Sequence, residues 1–200
     1  MNPVRTVLVV GGSGFVGTAV AARLAREGIR VIVPTRRLVH ARQLLTLPTA
    51  EVVEANVFDP TALSRLMRGV DAVVSLVGVL HSRPGDPYGP DFALAHVELP
   101  TRLVAAAREA GVGRIVHVSA LGARADGLSE YQRSKAAGEA AIRAGSPEVA
   151  WTILRPSVIF GPGDSFLNLF ASLLKRFPVM PLAAPMHASS RCMWRMSPRL

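Results

Sequence analysis

One cysteine, Cys192, in 200 residues leaves no intrachain disulfide to hold the chain together, and a reducing cytoplasm suits that composition. No window approaches the ~18 apolar residues needed to cross a bilayer, so no span is expected and any membrane association would be at the surface. Arg5 followed by Val7-Leu8-Val9-Val10 is too short for a signal peptide, because the apolar run stops at a glycine pair. Lysine is nearly missing: Lys135 and Lys175 stand against 21 arginines. The net charge is +9, yet the basic residues are scattered singly rather than gathered into a run or interleaved with aromatics. Three of them, Arg191, Arg195 and Arg199, fall at the C-terminal end. That distribution argues against a nucleic-acid partner.

What the chain does have is apolar residues in ordered positions. Half of it is hydrophobic, enough for one domain with a sizeable core. Val7 to Val10 reads as a buried strand, Gly11-Gly12-Ser13-Gly14-Phe15-Val16-Gly17 as a tight turn entering a helix, and Thr18 to Glu27 as that helix. Gly11, Gly12 and Gly14 clear side chains from the path of a pyrophosphate approaching the positive end of the helix. Gly17, inside the helix, lets it pack closely on the strand. A glycine turn without a ligand is the plainer reading, but a second strand from Arg30 to Pro34 follows at βαβ spacing and favours a dinucleotide site.

The second strand ends in Arg36-Arg37 with no acid beside them along the chain. Arginine there suits a ribose 2′-phosphate, so NADP(H) is favoured over NAD(H). The alternative is two solvated arginines at a helix start. A third strand runs through Val52 and Val53 toward Asn56-Val57, and Asp59 caps a helix from Pro60 to Met67. A fourth, Asp71 to Gly78, is apolar along most of its length, as a strand covered on both faces is, and its end at Val77-Gly78 would pass under the cofactor. A proline- and glycine-rich loop, 81–90, precedes a long helix from Phe92 to Ala110, and a fifth strand runs from Arg114 to Ser119. This rhythm predicts an α/β fold, a Rossmann-like doubly wound parallel sheet with helices on both faces.

Tyr131 and Lys135 are one helical turn apart, so they share a face. An ammonium there is expected to lower the phenol's pKa and ready it for proton exchange with a hydroxyl or carbonyl. A solvated helix face is the ordinary explanation of such a pair; after a nucleotide site and five strands it weighs less.

Together, Gly11-x-x-Gly14-x-x-Gly17, Tyr131-x-x-x-Lys135, the strand ending in Ser119 and Arg155-Pro156-Ser157-Val158-Ile159-Phe160-Gly161-Pro162 resemble the extended and atypical short-chain dehydrogenase/reductases of the epimerase/dehydratase group. The stretches 76–80, 117–123 and 134–139 are similar to those of the branch related to the NADPH-binding 39 kDa accessory subunit of respiratory complex I. The resemblance implies Tyr131 as acid/base, Lys135 on the nicotinamide ribose, Ser119 as the substrate-side hydroxyl, and Pro156 to Val158 lining the nicotinamide. No metal is implied. The chain departs from the pattern in three places: His96 stands where an asparagine is usual, Ala120 follows Ser119 in place of a second hydroxyl residue, and Asn56 replaces an aspartate beside the adenine. A structural histidine, partly buried, is the expected role of His96.

The family-like text covers about residues 5–182, with a last helix expected over 164–177; Ala183 to Leu200 has neither helical nor strand period. Read one base earlier, codons for Ser189 to Pro198 can spell Gln-Pro-Val-His-Val-Glu-Asp-Val-Ala, a phrase similar to family text, so a frameshift between about Leu182 and Ser189 is expected. A natural irregular terminus is the alternative. Extended members build their substrate pocket largely from the C-terminal portion, so the substrate lobe is expected to be largely missing here. Three functions stay open: a dinucleotide-dependent enzyme acting on a small molecule, a non-catalytic dinucleotide-binding subunit or assembly factor of a respiratory or quinone-related complex, and an inactive truncated product.

Overall fold

The computed structural model describes residues 3–161 and 164. The expected helix over 164–177 beyond its first residue, the boundary at 182 and the tail with its frameshift reading lie outside the described residues. Met1–Ile159 is one compact unit and Phe160–Leu200 a second. The first unit carries six parallel strands, β1 (Thr6–Val10), β2 (Arg30–Thr35), β3 (Ala50–Glu54), β4 (Ala72–Ser75), β5 (Arg114–Val118) and β6 (Ala150–Leu154), in the order β3-β2-β1-β4-β5-β6. This is the predicted Rossmann-like sheet. The sequence reading stopped at five strands; Ala-Trp-Thr-Ile-Leu at 150–154 adds the sixth, an edge strand too exposed to show the continuous apolar run of a central one.

β1 sits at the middle of the sheet, and its alternating side chains divide the core in two. Val7 and Val9 join Val31 and Val33 in the core that also holds Ala21 of α1 (Phe15–Arg26), with Ala41 and Leu44 of a short 3-10 helix, Leu38–Leu44. Leu8 and Val10 face the other way. They pack with residues of α2 (Pro60–Leu66), α4 (Leu99–Ala110) and α5 (Glu130–Arg143), among them Leu63, Leu103 and Ile142. Because the crossovers from β1 to β3 run one way across the sheet and those from β3 to β6 the other, right-handed connections put the helices on opposite faces. Among the described residues no helix is long and apolar enough to cross a membrane.

The long helix foreseen over 92–110 is present but not uniform. It starts as α3 (Pro90–Phe92), widens into a π-helical stretch over Ala93–Glu98, and continues as α4. Pro100 supplies the cause: with no N–H it cannot bond the carbonyl of His96 four residues back, and its ring would collide with that carbonyl in a regular α-helix. The turn opens, Leu99 N–H reaches back five residues to Leu94 O, and the displaced His96 carbonyl lies against Gly138 of α5, where any added Cβ would overlap it.

The glycine turn is closed by backbone. Arg30 N–H donates to Arg5 O, and continuing that parallel ladder makes residue 34 the next-but-one donor, facing Val9 O. Residue 34 is proline, and Val9 O is bonded instead by Gly12 N–H at 3.1 Å. Gly11 has φ +88, and a Cβ on Gly12 would come within 2.7 Å of Val33. Gly17 packs on the turn itself rather than on the strand: a methyl there would overlap Gly11 O and Gly12 Cα. Gly17→Ala is therefore expected to lose about 1–3 kcal/mol of stability. Gly14→Ala, whose methyl meets only Gly11 O at 3.3 Å, should lose less. Urea denaturation of both variants measures the difference.

Candidate active site

The carboxyl ends of all six strands lie on one edge of the sheet, because every pair is parallel, and in open α/β sheets this is the edge that binds ligands. The residues singled out in the sequence fall there: Gly11 to Gly14 after β1, Arg36-Arg37 after β2, Asn56-Val57 after β3, Val77-Gly78 after β4, Ser119 after β5, and Pro156 with Val158 after β6. Gly14 is the N-cap of α1 and supplies no side-chain cap, and no acid sits in the first turn. The leading N–H groups, at Phe15, Val16 and Gly17, are thus left for an incoming acceptor. Ser13 is half-buried beside them.

Arg36 and Arg37 are exposed, and among the described residues neither forms an ion pair. Thr35 turns its hydroxyl onto Arg37 O at 3.1 Å, which shapes the exit from β2. Across the sheet Glu54 stands in register with Thr35, so the acid-free neighbourhood read along the chain does not extend to the adjacent strand. Asn56 uses its Oδ1 to accept from Phe58 N–H at 3.1 Å, while Val57 is buried.

The catalytic candidates sit on α5. Its start is a capping box in which Ser129 Oγ accepts from Gln132 N–H and the Gln132 side chain accepts from Ser129 N–H. This places Tyr131 in the first turn, its ring edge-on to His96 at 5.5 Å and to Phe92 at 6.0 Å between centroids. Lys135 is buried and donates from Nζ to Val118 O at 2.9 Å, leaving two further donors. Burial brings its pKa down to about 8, opposed by the charge of Glu139. The expectation that Lys135 lowers the Tyr131 pKa is not met: burial of the phenol raises it, and the charge of Lys135 does not offset that. Tyr131 is thus protonated at neutral pH.

His96 is almost fully enclosed, and its bonds fix its tautomer. Val79 N–H can only donate, so Nε2 accepts at 3.0 Å. Nδ1 then carries the proton and donates to Ser134 Oγ at 2.9 Å, and Ser134 donates onward to Tyr131 O. Burial, then the charge on Lys135, holds its pKa down to about 3. His96 is structural, as expected, and more deeply buried than expected: it ties the β4 exit to α5. His117, opposite Ser75 in register, bonds it at 3.1 Å, and burial takes its pKa down to about 4.

Two residues escaped the sequence reading. Glu139 is buried one turn beyond Lys135 and takes Arg155 bidentately at 2.7 and 2.6 Å, with Arg143 at 2.8 Å. Burial opposes its charge most strongly of any single effect, but the hydrogen bonds from Arg155 and Arg143, the pull of the Ser119 hydroxyl and the charge of Arg155 together outweigh it and hold its pKa at about 2. Ser119 Oγ faces Glu139 and helps hold it ionised, second to Arg155 and ahead of Arg143, yet no hydrogen bond of ordinary geometry reaches this buried hydroxyl among the described residues. A glutamate at i+4 from the lysine was the available signal, but a solvated helix face explains that spacing equally well. Arg155 anchors the chain before Pro156, whose carbonyl accepts from Leu121 N–H at 2.8 Å. Pro156 is half-buried and Val158 exposed.

These features fit a dinucleotide: an uncapped helix start over a turn with glycine at three of its four positions, a buried hydroxyl without a formed hydrogen bond among the described residues, and an ammonium with donors to spare. The model of the NAD-dependent epimerase/dehydratase family matches residues 7–177. The chain belongs to that family. Among similar proteins, "NADH dehydrogenase [ubiquinone] 1 alpha subcomplex subunit 9, mitochondrial" of Mus musculus is 35% identical over 180 residues, 88% of this chain and 46% of the relative. A ceramide reductase of Caulobacter vibrioides is 38% identical over 183 residues, 88% of this chain and 53% of the relative. The chain thus spans about half the length of the curated relatives it matches. A dTDP-glucose 4,6-dehydratase double mutant from Streptomyces venezuelae, solved with NAD bound, superposes with a TM-score of 0.72 at 26% identity, over 85% of this chain and 62% of that one.

The two buried imidazoles set a pH dependence for this family member. Above their ordinary value of 6.5 they are neutral whether folded or unfolded. Below it the unfolded chain takes up protons that the folded one refuses until about 4 and about 3, so stability is lost as pH falls through that window. Glu139 adds loss in the same direction below 4.5. The melting temperature should therefore drop already between pH 6.5 and 5, measurable by calorimetry; an unchanged value there would mean that the imidazoles are charged in the fold.

Proposed function

We propose that the chain binds NADP(H) in preference to NAD(H) and serves hydride transfer at a carbon bearing a hydroxyl or carbonyl, with Tyr131 as the acid/base. The observation that carries this reading is the grouping, at the carboxyl edge beside the glycine turn, of a protonated Tyr131, a buried Lys135 with donors to spare and a Ser119 hydroxyl without a formed hydrogen bond among the described residues. When bound, the dinucleotide gives or takes the hydride. In the reducing direction Ser119 donates a hydrogen bond to the substrate oxygen and Tyr131 gives that oxygen its proton. Lys135 holds the ribose hydroxyls of the nicotinamide half, Val77-Gly78 passes beneath it, and Pro156 to Val158 line it. Gly11 to Gly17 receive the pyrophosphate, Asn56 and Val57 flank the adenine, and Arg36 with Arg37 pair the 2′-phosphate.

A second reading has its own support. Both nitrogens of His96 are committed to fixed partners, so it cannot relay a proton, and the similarity to a complex I subunit fits a dinucleotide held for structure in a protein assembly. Tyr131→Phe separates the two. On the catalytic reading it lowers NADPH-dependent turnover by about 10²–10⁴ while leaving the nucleotide-induced rise in melting temperature intact. On the structural reading nothing measurable changes. NADPH should raise the melting temperature more than NADH, and Arg36→Ala with Arg37→Ala should erase the difference. A larger shift with NADH would instead assign the ribose to Glu54.

A further inference from the structure

A cavity of about 340 Å³ adjoins Tyr131. Leu80, Pro84 and Phe92 give it an apolar wall, and among the described residues its lining has one carboxylate, Glu130, one imidazole, His81, and no lysine or arginine, the exposed Arg83 of the same loop lying outside it. Glu130 is the residue before Tyr131 in the first turn of α5, and both line the cavity. Its oxygens are held in place, Oε2 accepting from Gly89 N–H at 2.7 Å and Oε1 from Gly85 N–H at 3.4 Å, which also fastens the 81–90 loop over the cavity. Arg133, the nearest arginine on α5, is committed elsewhere: Nε donates to Pro87 O, and Nη1 to Gly127 O and Leu128 O. Leu80 is 59% exposed, so it is free to meet a ligand at the opening, and Leu121 and Leu128 are more exposed still.

A carboxylate or diphosphate entering this space would shed water beside a fixed negative charge and find no lysine or arginine among the described lining residues in return, a large cost. An aliphatic tail would cover apolar wall instead. We infer that the substrate is an uncharged ketone or secondary alcohol with an aliphatic tail, and that Glu130 is the residue that excludes anions. The inference rests on the hydride-transfer reading above.

The test uses the full chain saturated with NADP⁺, which cannot reduce a ketone, so dead-end binding is read as a rise in melting temperature. The probes are 2-octanone, 2-oxooctanoate, which differs by a carboxylate next to the carbonyl, and UDP-glucose. The first should raise the melting temperature by about 2–4 °C beyond NADP⁺ alone, and the other two by little or nothing. Glu130→Gln should narrow the gap between the ketone and the keto acid. Leu80→Arg, which puts a cation at the exposed edge of the lining, should reverse their order, and nonspecific binding of ketone to apolar surface would not. Equal or tighter binding of 2-oxooctanoate or UDP-glucose to the unaltered chain overturns the inference, as does no response to 2-octanone. If NADP⁺ itself produces no shift while NADPH does, the inference also falls and the reduced cofactor alone is bound; if neither does, the hydride-transfer reading fails first.

Discussion

Helix α1 starts against the backbone of the turn that feeds it, with Gly17 on the Gly11 carbonyl and Gly12 wedged between Val9 O and Val33. That contact sets the rest of the nucleotide half. It leaves the first N–H groups of the helix without a protein acceptor, it aims them at the carboxyl edge of β1, and it leaves no room for a side chain at Gly12 or Gly17. Pro34 takes part from the neighbouring strand by leaving the Val9 carbonyl for Gly12 to bond. An anion site of this sort is made almost wholly of backbone, so its chemistry depends on how closely two segments approach and not on the identity of any polar side chain.

The other half of the edge is organised by polar groups inside the protein. α5 buries Ser134, Lys135, Gly138 and Glu139, four residues that a solvated helix face would also tolerate. Each has a partner on a different element: Ser134 on His96, Lys135 on the Val118 carbonyl, Gly138 on the carbonyl that Pro100 displaces, Glu139 on Arg155. A charge enclosed in this way is tolerable only when paired. Lys135 and Glu139 offset one another one turn apart, and two partly exposed arginines complete the balance. The helix carrying Tyr131 is thereby tied to β5, to the segment after β6 and, through His96, to the exit of β4.

The role of His96, at a position where an asparagine is usual, follows from its geometry. An imidazole that accepts from one backbone N–H and donates to one serine has no free nitrogen with which to take up a second proton, and its burial keeps it neutral across the physiological range. It works as a tether between the exit of β4 and α5. Such a tether is of equal use to an enzyme and to a protein that only holds its nucleotide, which is why the fold alone does not choose between them.

The sheet, the glycine turn and the Tyr131–Lys135 spacing were legible along the chain because each depends on local pattern: apolar runs at strand length, glycines between strand and helix, two side chains one helical turn apart. β6 was not, since an exposed edge strand lacks the apolar run. The rise of the Tyr131 pKa, the locked tautomer of His96, the pairing of Glu139 with Arg155 and the nearness of Glu54 to the end of β2 were not legible either. Each joins residues distant in sequence, and the sign of a pKa shift depends on whether burial or a neighbouring charge wins at that point in space. The sequence by itself determined which backbone groups would meet a phosphate, because glycine spacing is local. Only the tertiary structure decided which side chains are charged, which are paired and which remain free to act, because desolvation and pairing exist only once the helices have closed on the sheet.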